Sequence, residues 1–305
     1  MHIPDGFLST PVAAAMDAVA LPLVAGMARR AQRTFDDHRI PLMGVMGAFI
    51  FAAQMLSFPV GIGTSSHLVG GALLATTLGP AAACIVMTAI LVTQALIFQD
   101  GGVLALGANV FNMAIAGVLA GYVPYVLLKG QRSGIFFGGL LSVVVSAALA
   151  LGELVSSGVA IPRLALEISA GVFLFCGIIE GAITVAVVSA LERIQPGIIR
   201  EPHPAARRTA AAVAGLAGIT AGVGALAASA WPDGIEKLTR SAGMTAGAAS
   251  FFAAPIADYK LPFTAGTWPG RVAAALIGVA LVYLLCVAVS RAFHASKAAT
   301  KREGA

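Results

Sequence analysis

The chain begins Met1-His2-Ile3-Pro4-Asp5-Gly6-Phe7. A histidine at position 2 has a specific chemical use. The free α-amine of Met1, the deprotonated amide nitrogen of His2 and one imidazole nitrogen of His2 can close two adjacent chelate rings on one ion. Ni(II) and Cu(II) promote loss of the amide proton, and nitrogen-rich square-planar or tetragonal geometry is diagnostic of these ions. A fourth nitrogen would complete the plane. The competing reading is that His2 is an ordinary terminal residue. His67, in Gly61-Ile62-Gly63-Thr64-Ser65-Ser66-His67-Leu68-Val69-Gly70-Gly71, opens a hydrophobic span at the same side as the N-terminus, so it is an admissible fourth ligand. It equally suits a polar group at a helix entry, with the preceding Ser and Thr as caps. His38, His203 and His294 fall among basic residues and read as solvated.

Asp17, Glu153, Glu167 and Glu180 lie inside apolar spans, where charge is costly and ionisable groups are functional candidates. Gln54, Gln94, Asn109 and Asn112 add neutral polarity there. Asn109 and Asn112 are three apart and share a helix face. They suit hydrogen bonds either to a metal-binding loop or between helices. No helical spacing gathers the four acids into a proton relay. There is no G-x-x-x-x-G-K-[ST] and hence no P-loop ATP hydrolysis. Gly61-Ile62-Gly63 has no βαβ unit around it, and G-x-S-x-G and H-E-x-x-H are absent. Cys84, Cys176 and Cys286 sit far apart in apolar runs without C-x-x-C spacing, which argues against a disulfide framework or thiolate site.

The elements that must position these residues are membrane helices. The chain has 305 residues, 11% charged and 58% hydrophobic, with a mean hydropathy of +0.91. Soluble domains carry roughly 25% charged and about 45–50% apolar residues, so an ordinary soluble protein is excluded, and disorder with it. The 35 glycines follow no G-X-Y period, which excludes collagen. Nine hydrophobic spans are expected, at 12–28, 40–58, 67–79, 81–98, 103–128, 135–157, 164–191, 209–230 and 272–293. The fold class is therefore an all-α polytopic membrane protein of about nine transmembrane helices. The third span is short and ends at Gly79-Pro80, so spans three and four could form one kinked or re-entrant unit.

With the N-terminus outside and the C-terminus inside, 14 of the 19 basic residues fall on the inner side. The five outside are Arg163, Lys237, Arg240, Lys260 and Arg271. Lys and Arg collect in cytoplasmic loops, so this orientation is expected. The same rule accounts for the net charge of +5 without nucleic acid. Residues 1–28 hold no Lys or Arg, unlike a secretory signal. The stretch 231–270 is polar and external, and lies between the eighth span and the ninth. Ala14 and Ala18 form a small-xxx-small helix-docking face.

Met-His-Ile-Pro-Asp-Gly-Phe-Leu-Ser at 1–9, Gly-Thr-Ser-Ser-His-Leu-Val-Gly-Gly at 63–71 and Gly-Ala-Asn-Val-Phe-Asn-Met at 107–113 resemble the CbiM/NikM family. These are the substrate-binding components of energy-coupling factor importers for cobalt and nickel. The resemblance covers about residues 1–200. Pro232-Asp233-Gly234-Ile235-Glu236 and Ala254-Pro255-Ile256-Ala257-Asp258-Tyr259 resemble the PDGLE domain of the accessory NikN subunit, with Ile235 in place of the usual Leu. The expected organisation is thus a metal-binding membrane domain, 1–200, fused to a PDGLE/NikN-like module, 201–305.

The resemblance implies a square-planar site of four nitrogens: the Met1 amine, the His2 amide and imidazole, and the His67 imidazole. It implies that the N-terminal segment folds back into a pocket on the outer face, with Asn109 and Ser66 orienting ligands. Its implied partners are a CbiQ/NikQ-like transmembrane coupling subunit and a CbiO/NikO-like pair of cytoplasmic ATPases; the Ala14 and Ala18 face, which an internal neighbour could also use, is our expected contact for the coupling subunit. The chain itself would be no enzyme but the membrane component that captures Ni(II), or Co(II), from outside for ATP-driven uptake across the plasma (inner) membrane. Three alternatives stand beside this expectation: cobalt uptake feeding cobalamin biosynthesis, a proton-driven secondary metal transporter, and a membrane scaffold with no substrate.

Overall fold

The computed structural model describes all residues except 35–39, 62–63, 200–206, 228–230, 232, 242–251, 265–266 and 304–305. His38, Arg39, Ile62, Gly63, Arg200, His203 and Pro232 lie outside the described residues, as does the side chain of His294.

A backbone in hydrocarbon must satisfy its own polar groups, so uninterrupted apolar runs become helices. Helix α1 spans Thr10–Thr34 and α2 spans Ile40–Met55. A two-stranded antiparallel hairpin follows, β1 (Phe58–Gly61) with β2 (Thr64–Ser66). Then come α3 (Gly71–Leu78) and α4 (Pro80–Thr93), the latter prolonged by a π turn, Gln94–Phe98. Helix α5 (Leu106–Asn109) runs through a π-helical stretch, Val110–Gly117, into α6 (Val118–Leu127). Helices α7 (Arg132–Ser156), α8 (Arg163–Ile194), α9 (Arg207–Ala227), α10 (Gly234–Ser241) and α11 (Trp268–Glu303) complete the chain. The protein is all-α apart from the hairpin, and seven described helices are long and apolar enough to cross a membrane.

Two of the nine expected spans differ from that standard. Span 40–58 holds α2, a 16-residue helix. Span 67–79 is helical only over the eight residues of α3, about 12 Å of rise. Residues 67–70 before it are not helical, because Gly70 enters α3 at φ 81° and the preceding backbone bonds elsewhere. At its other end Gly79 takes φ 82° and Pro80 starts α4 at once. The irregular stretch is tolerated because it is enclosed by protein: Leu68, Val69 and α3 are buried.

Helices α2, α3 and α4 form the centre. Helices α7 and α8 pack closely because Gly139 faces Gly181: a Cβ on Gly139 would stand 2.6 Å from the Gly181 Cα. Small residues allow this backbone approach. Helices α9 and α11, from the expected second module, cover α2. A Cβ on Gly44 would meet Tyr283 at 2.8 Å, and one on Gly47 would meet the Cys286 Sγ at 2.9 Å.

Met1, the hairpin strands, Gln99–Gly102, Trp231, Asp233 and Tyr259 meet at one end of the bundle. Arg29, Arg30 and Arg33 lie at the far end of α1, Lys129 and Arg132 in the α6–α7 turn, and Arg193 at the end of α8. The described basic clusters therefore occupy the end opposite Met1.

Candidate metal centre

The N-terminal segment is docked as a short, irregular plug. Ile3 and Phe7 are its apolar anchors, at 0% and 2% exposure. The Ile3 N–H donates to Asn109 Oδ1 at 2.8 Å, and Asn109 Nδ2 donates back to the Ile3 carbonyl at 3.0 Å. The Gly102 N–H donates to the same carbonyl at 2.9 Å, and the Leu104 N–H to Asp5 Oδ1 at 2.8 Å. Gly101 (φ 95°) and Gly102 leave the groove that admits this segment. A Cβ on Gly101 would stand 3.3 Å from the His2 Cβ, and one on Gly102 would collide with Asp5 Oδ1. Gly6, at φ 86°, turns the chain away towards α1.

This docking brings the Met1 amine to 2.7 Å from His67 Nε2. His67 Nδ1 lies 2.9 Å from the Leu68 carbonyl. When Nδ1 donates there, Nε2 keeps its lone pair towards Met1. Two nitrogens bound side by side to an ion at about 2.0 Å each stand about 2.8 Å apart. The amine and His67 thus already have the spacing of adjacent corners of a square. The His2 and His67 rings stack, with centroids 5.3 Å apart and planes 14° off parallel. His2 Nδ1, through which the small chelate ring must close, lies 3.3 Å from Asp100 Oδ1. His2 Nε2 is buried with no hydrogen-bond partner.

Two carboxylates face these nitrogens. Asp233 Oδ2 pairs with the Met1 ammonium at 3.0 Å, while its Oδ1 accepts the Glu236 N–H at 2.7 Å and caps α10. Asp100 Oδ2 accepts the Tyr259 hydroxyl at 2.6 Å. Ser65 ties the hairpin to the same region, donating to the Trp231 carbonyl at 2.7 Å and bridging to Asp233 through the backbone. His2, Ser65, His67, Asp100, Asp233 and Tyr259 line a cavity of about 600 Å³.

Burial pushes the His67 pKa down, and the Met1 ammonium and His2 push the same way. His67 is therefore neutral, the form a metal requires. Burial alone would raise Asp100, but the charge and hydrogen bond of His2 and the Tyr259 hydroxyl override it and hold its carboxyl low. Asp233 is likewise held low against burial, by the Met1 ammonium and the Glu236 N–H. Burial and the Asp100 charge raise Tyr259 well above its ordinary value, so it stays a neutral donor.

The structure brings Met1, His2 and His67 together and sets Asn109 on the backbone of residue 3. Ser66 points elsewhere, to the Cys176 thiol; its neighbour Ser65 makes the site contact. Asn112 serves α7, donating to Glu153 at 2.8 Å, and the π-helical stretch begins between it and Asn109. The four membrane acids are dispersed. Asp17 accepts the Gly107 N–H, Glu167 pairs with Arg163 on the surface, and Glu180 accepts the Val69 and Gly70 N–H groups. Asp100, Tyr259 and the role of Asp233 were not anticipated. Their signal was parity: each follows an even number of traversals from Met1, and Asp100 precedes a Gly-Gly pair. Among the described residues, no group of three or more His, Cys, Asp or Glu side chains is arranged to hold a metal ion.

Several known proteins are similar to this chain. The CbiM family, described as the cobalt uptake substrate-specific transmembrane region, matches residues 2–198. A protein of Haloquadratum walsbyi named for metal transport is 41% identical over 204 residues, 65% of this chain and 93% of its own. A protein of Archaeoglobus fulgidus named as a fused nickel transport protein is 31% identical over 95% of this chain and 98% of its own. The fused nickel transport protein of Rhodobacter capsulatus is 30% identical over 92% and 95%. The chain is thus a multi-pass membrane protein that belongs to the CbiM family of nickel and cobalt transport proteins.

Proposed function

We propose that this chain captures Ni(II) from outside the cell through the Met1 amine, the His2 amide and imidazole, and the His67 imidazole. The observation that carries this reading is the 2.7 Å approach of the Met1 amine to His67 Nε2 in a partly buried pocket. Loading exchanges the Met1–Asp233 pair and the His2–Asp100 contact for metal–nitrogen bonds and releases protons. Nickel is preferred because nitrogen donors bind it more tightly than cobalt, and because two relatives aligned along nearly the whole chain are named for nickel. Co(II), including supply to cobalamin synthesis, is the second cargo.

Transport across the plasma membrane is driven by partners, a transmembrane coupling subunit and a cytoplasmic ATPase pair, since this chain has no phosphate-binding loop. Ala14 and Ala18 are exposed on α1, as a partner-facing surface requires. The C-terminal module completes the site from above with Asp233 and Tyr259. Proton-driven transport is less well supported, because each membrane acid has its own separate partner.

The test is titration of the purified full chain with Ni(II) and Co(II), beside a variant carrying one extra residue before Met1. The extension removes the terminal amine as a ligand. Affinity should fall by more than the about 100-fold that outer contacts to a metal ligand command. Unchanged Ni(II) affinity would overturn the nitrogen site. Uptake in cells with and without the ATPase pair tests the energy source: uptake that persists without it would favour the proton-driven alternative.

A further inference from the structure

His67 sits at the start of a stretch that should, by composition, be helix, yet residues 67–70 are unwound at the level of buried helices. Backbone groups there have no water and must find protein partners. Three of them do so through two side chains. Glu180, on α8 and 2% exposed, accepts the Val69 N–H with Oε2 at 2.8 Å and the Gly70 N–H with Oε1 at 2.7 Å. Gln54, on α2, donates Nε2 to the Val69 carbonyl at 2.7 Å, and Gln94 on the following π turn donates to Gln54 Oε1 at 2.8 Å. Ile50 closes the remaining side, where a Cβ on Gly70 would stand 2.7 Å from it.

We infer that Glu180, seconded by Gln54, is a positioning residue for the metal centre: it keeps residues 67–70 unwound so that His67 Nε2 is presented to the Met1 amine. Helices α8 and α2 thereby both hold the backbone, two residues from the ligand. Without the Glu180 carboxylate, the Val69 and Gly70 N–H groups would turn back to preceding carbonyls and extend α3 towards its N-terminus. Each added helical residue swings the chain about 100°, carrying His67 off the amine. Glu180 touches no donor atom itself. This inference rests on the nitrogen-site reading above.

Glu180→Gln tests it. The amide keeps one acceptor oxygen but replaces the other with a donor, so one of the two N–H groups is stranded. In the full chain with a free Met1 amine, Ni(II) affinity should fall about tenfold or more, and the visible absorption of the four-nitrogen Ni(II) centre should shift as it does in His67→Ala. Added imidazole should restore that absorption in both variants, because it supplies the missing fourth nitrogen. A loss caused by general destabilisation would not be rescued. Glu153→Gln, the same change at another buried acid, should keep wild-type binding. Gln54→Met should show a smaller loss, also rescued, and serves if Glu180→Gln does not fold.

Wild-type binding by Glu180→Gln would overturn the role. So would a loss that imidazole leaves unrepaired, or an equal imidazole-insensitive loss in Glu153→Gln. A wild-type chain that shows no four-nitrogen Ni(II) absorption would instead remove the metal-centre reading itself.

Discussion

His67 is kept neutral by burial, with the Met1 ammonium and the His2 ring pushing the same way. The sign of the consequence follows from linkage. A histidine whose folded pKa lies below its unfolded value takes up its proton first in the unfolded chain. Its unfavourable contribution is absent above the ordinary imidazole pKa of about 6.5 and grows as pH falls below it. Asp100 and Asp233 are held low, so their stabilisation persists above the carboxylate range, near about 4, and is lost only beneath it. The metal-free protein should therefore lose thermal stability between about pH 7.5 and 5.5 through His67 rather than through the acids. Midpoints for wild type and His67→Gln at the two pH values check this: the acid-induced drop should be smaller in the variant. An equal drop in both would assign it to other groups. Asn109 acts differently, through the main chain of residue 3, and so places the His2 amide and ring without touching them.

At the scale of elements, the docked N-terminal segment behaves as a small structural unit with its own lock. Its anchors are Ile3 and Phe7, its clamp is Asn109, and its wall is the Gly101-Gly102 pair. Gly102 has no room for a side chain: a Cβ would press on Asp5 Oδ1 and stand 2.6 Å from the Asp5 nitrogen. Gly102→Val should therefore undock the segment while leaving the helices formed. Overpacking of this kind costs about 1–3 kcal/mol, or about 5- to 150-fold in metal affinity when binding requires the docked form. Circular dichroism unchanged from wild type, with weakened Ni(II) binding, is the expected pair of results. Full binding by Gly102→Val would mean that the segment can load metal from another pose. The short α3 belongs to the same logic, since a full-length helix there would carry His67 away.

For the whole molecule, the arrangement places every described group of the candidate site at the end opposite the described basic clusters. Basic residues stay on the cytoplasmic side, so the site faces outward. The three native cysteines are buried, which makes single introduced thiols informative. Ala160 lies in the exposed α7–α8 connection and Gln131 in the exposed α6–α7 turn. In intact cells a membrane-impermeant thiol reagent should label Ala160→Cys and spare Gln131→Cys, with labelling of the second appearing only after the membrane is opened. The reverse pattern would invert the topology and turn the metal site inward. Elements beyond residue 200 pack against the earlier helices: α9 and α11 cover α2, and Asp233 reaches Met1.

The membrane class, most of the helices and the candidacy of Met1, His2 and His67 were legible in the sequence, because each rests on local chemistry. Apolar run length dictates helices, and an amine beside a histidine is a chelator wherever it is placed. The clamp residues were visible only as costly polar groups within apolar spans: Glu180 and Gln54 were marked as such, but nothing in their spacing named Val69 and Gly70 as partners. Asp100, Tyr259 and the task of Asp233 depend on which helix ends meet. Sequence reduces that to parity of crossings, and packing alone turns it into distance. The shortness of α3 escaped for the same reason. Composition favours helix over residues 67–70, and the tertiary bonds from α8 and α2 override it, leaving the irregular backbone that puts an imidazole nitrogen beside the first atom of the chain.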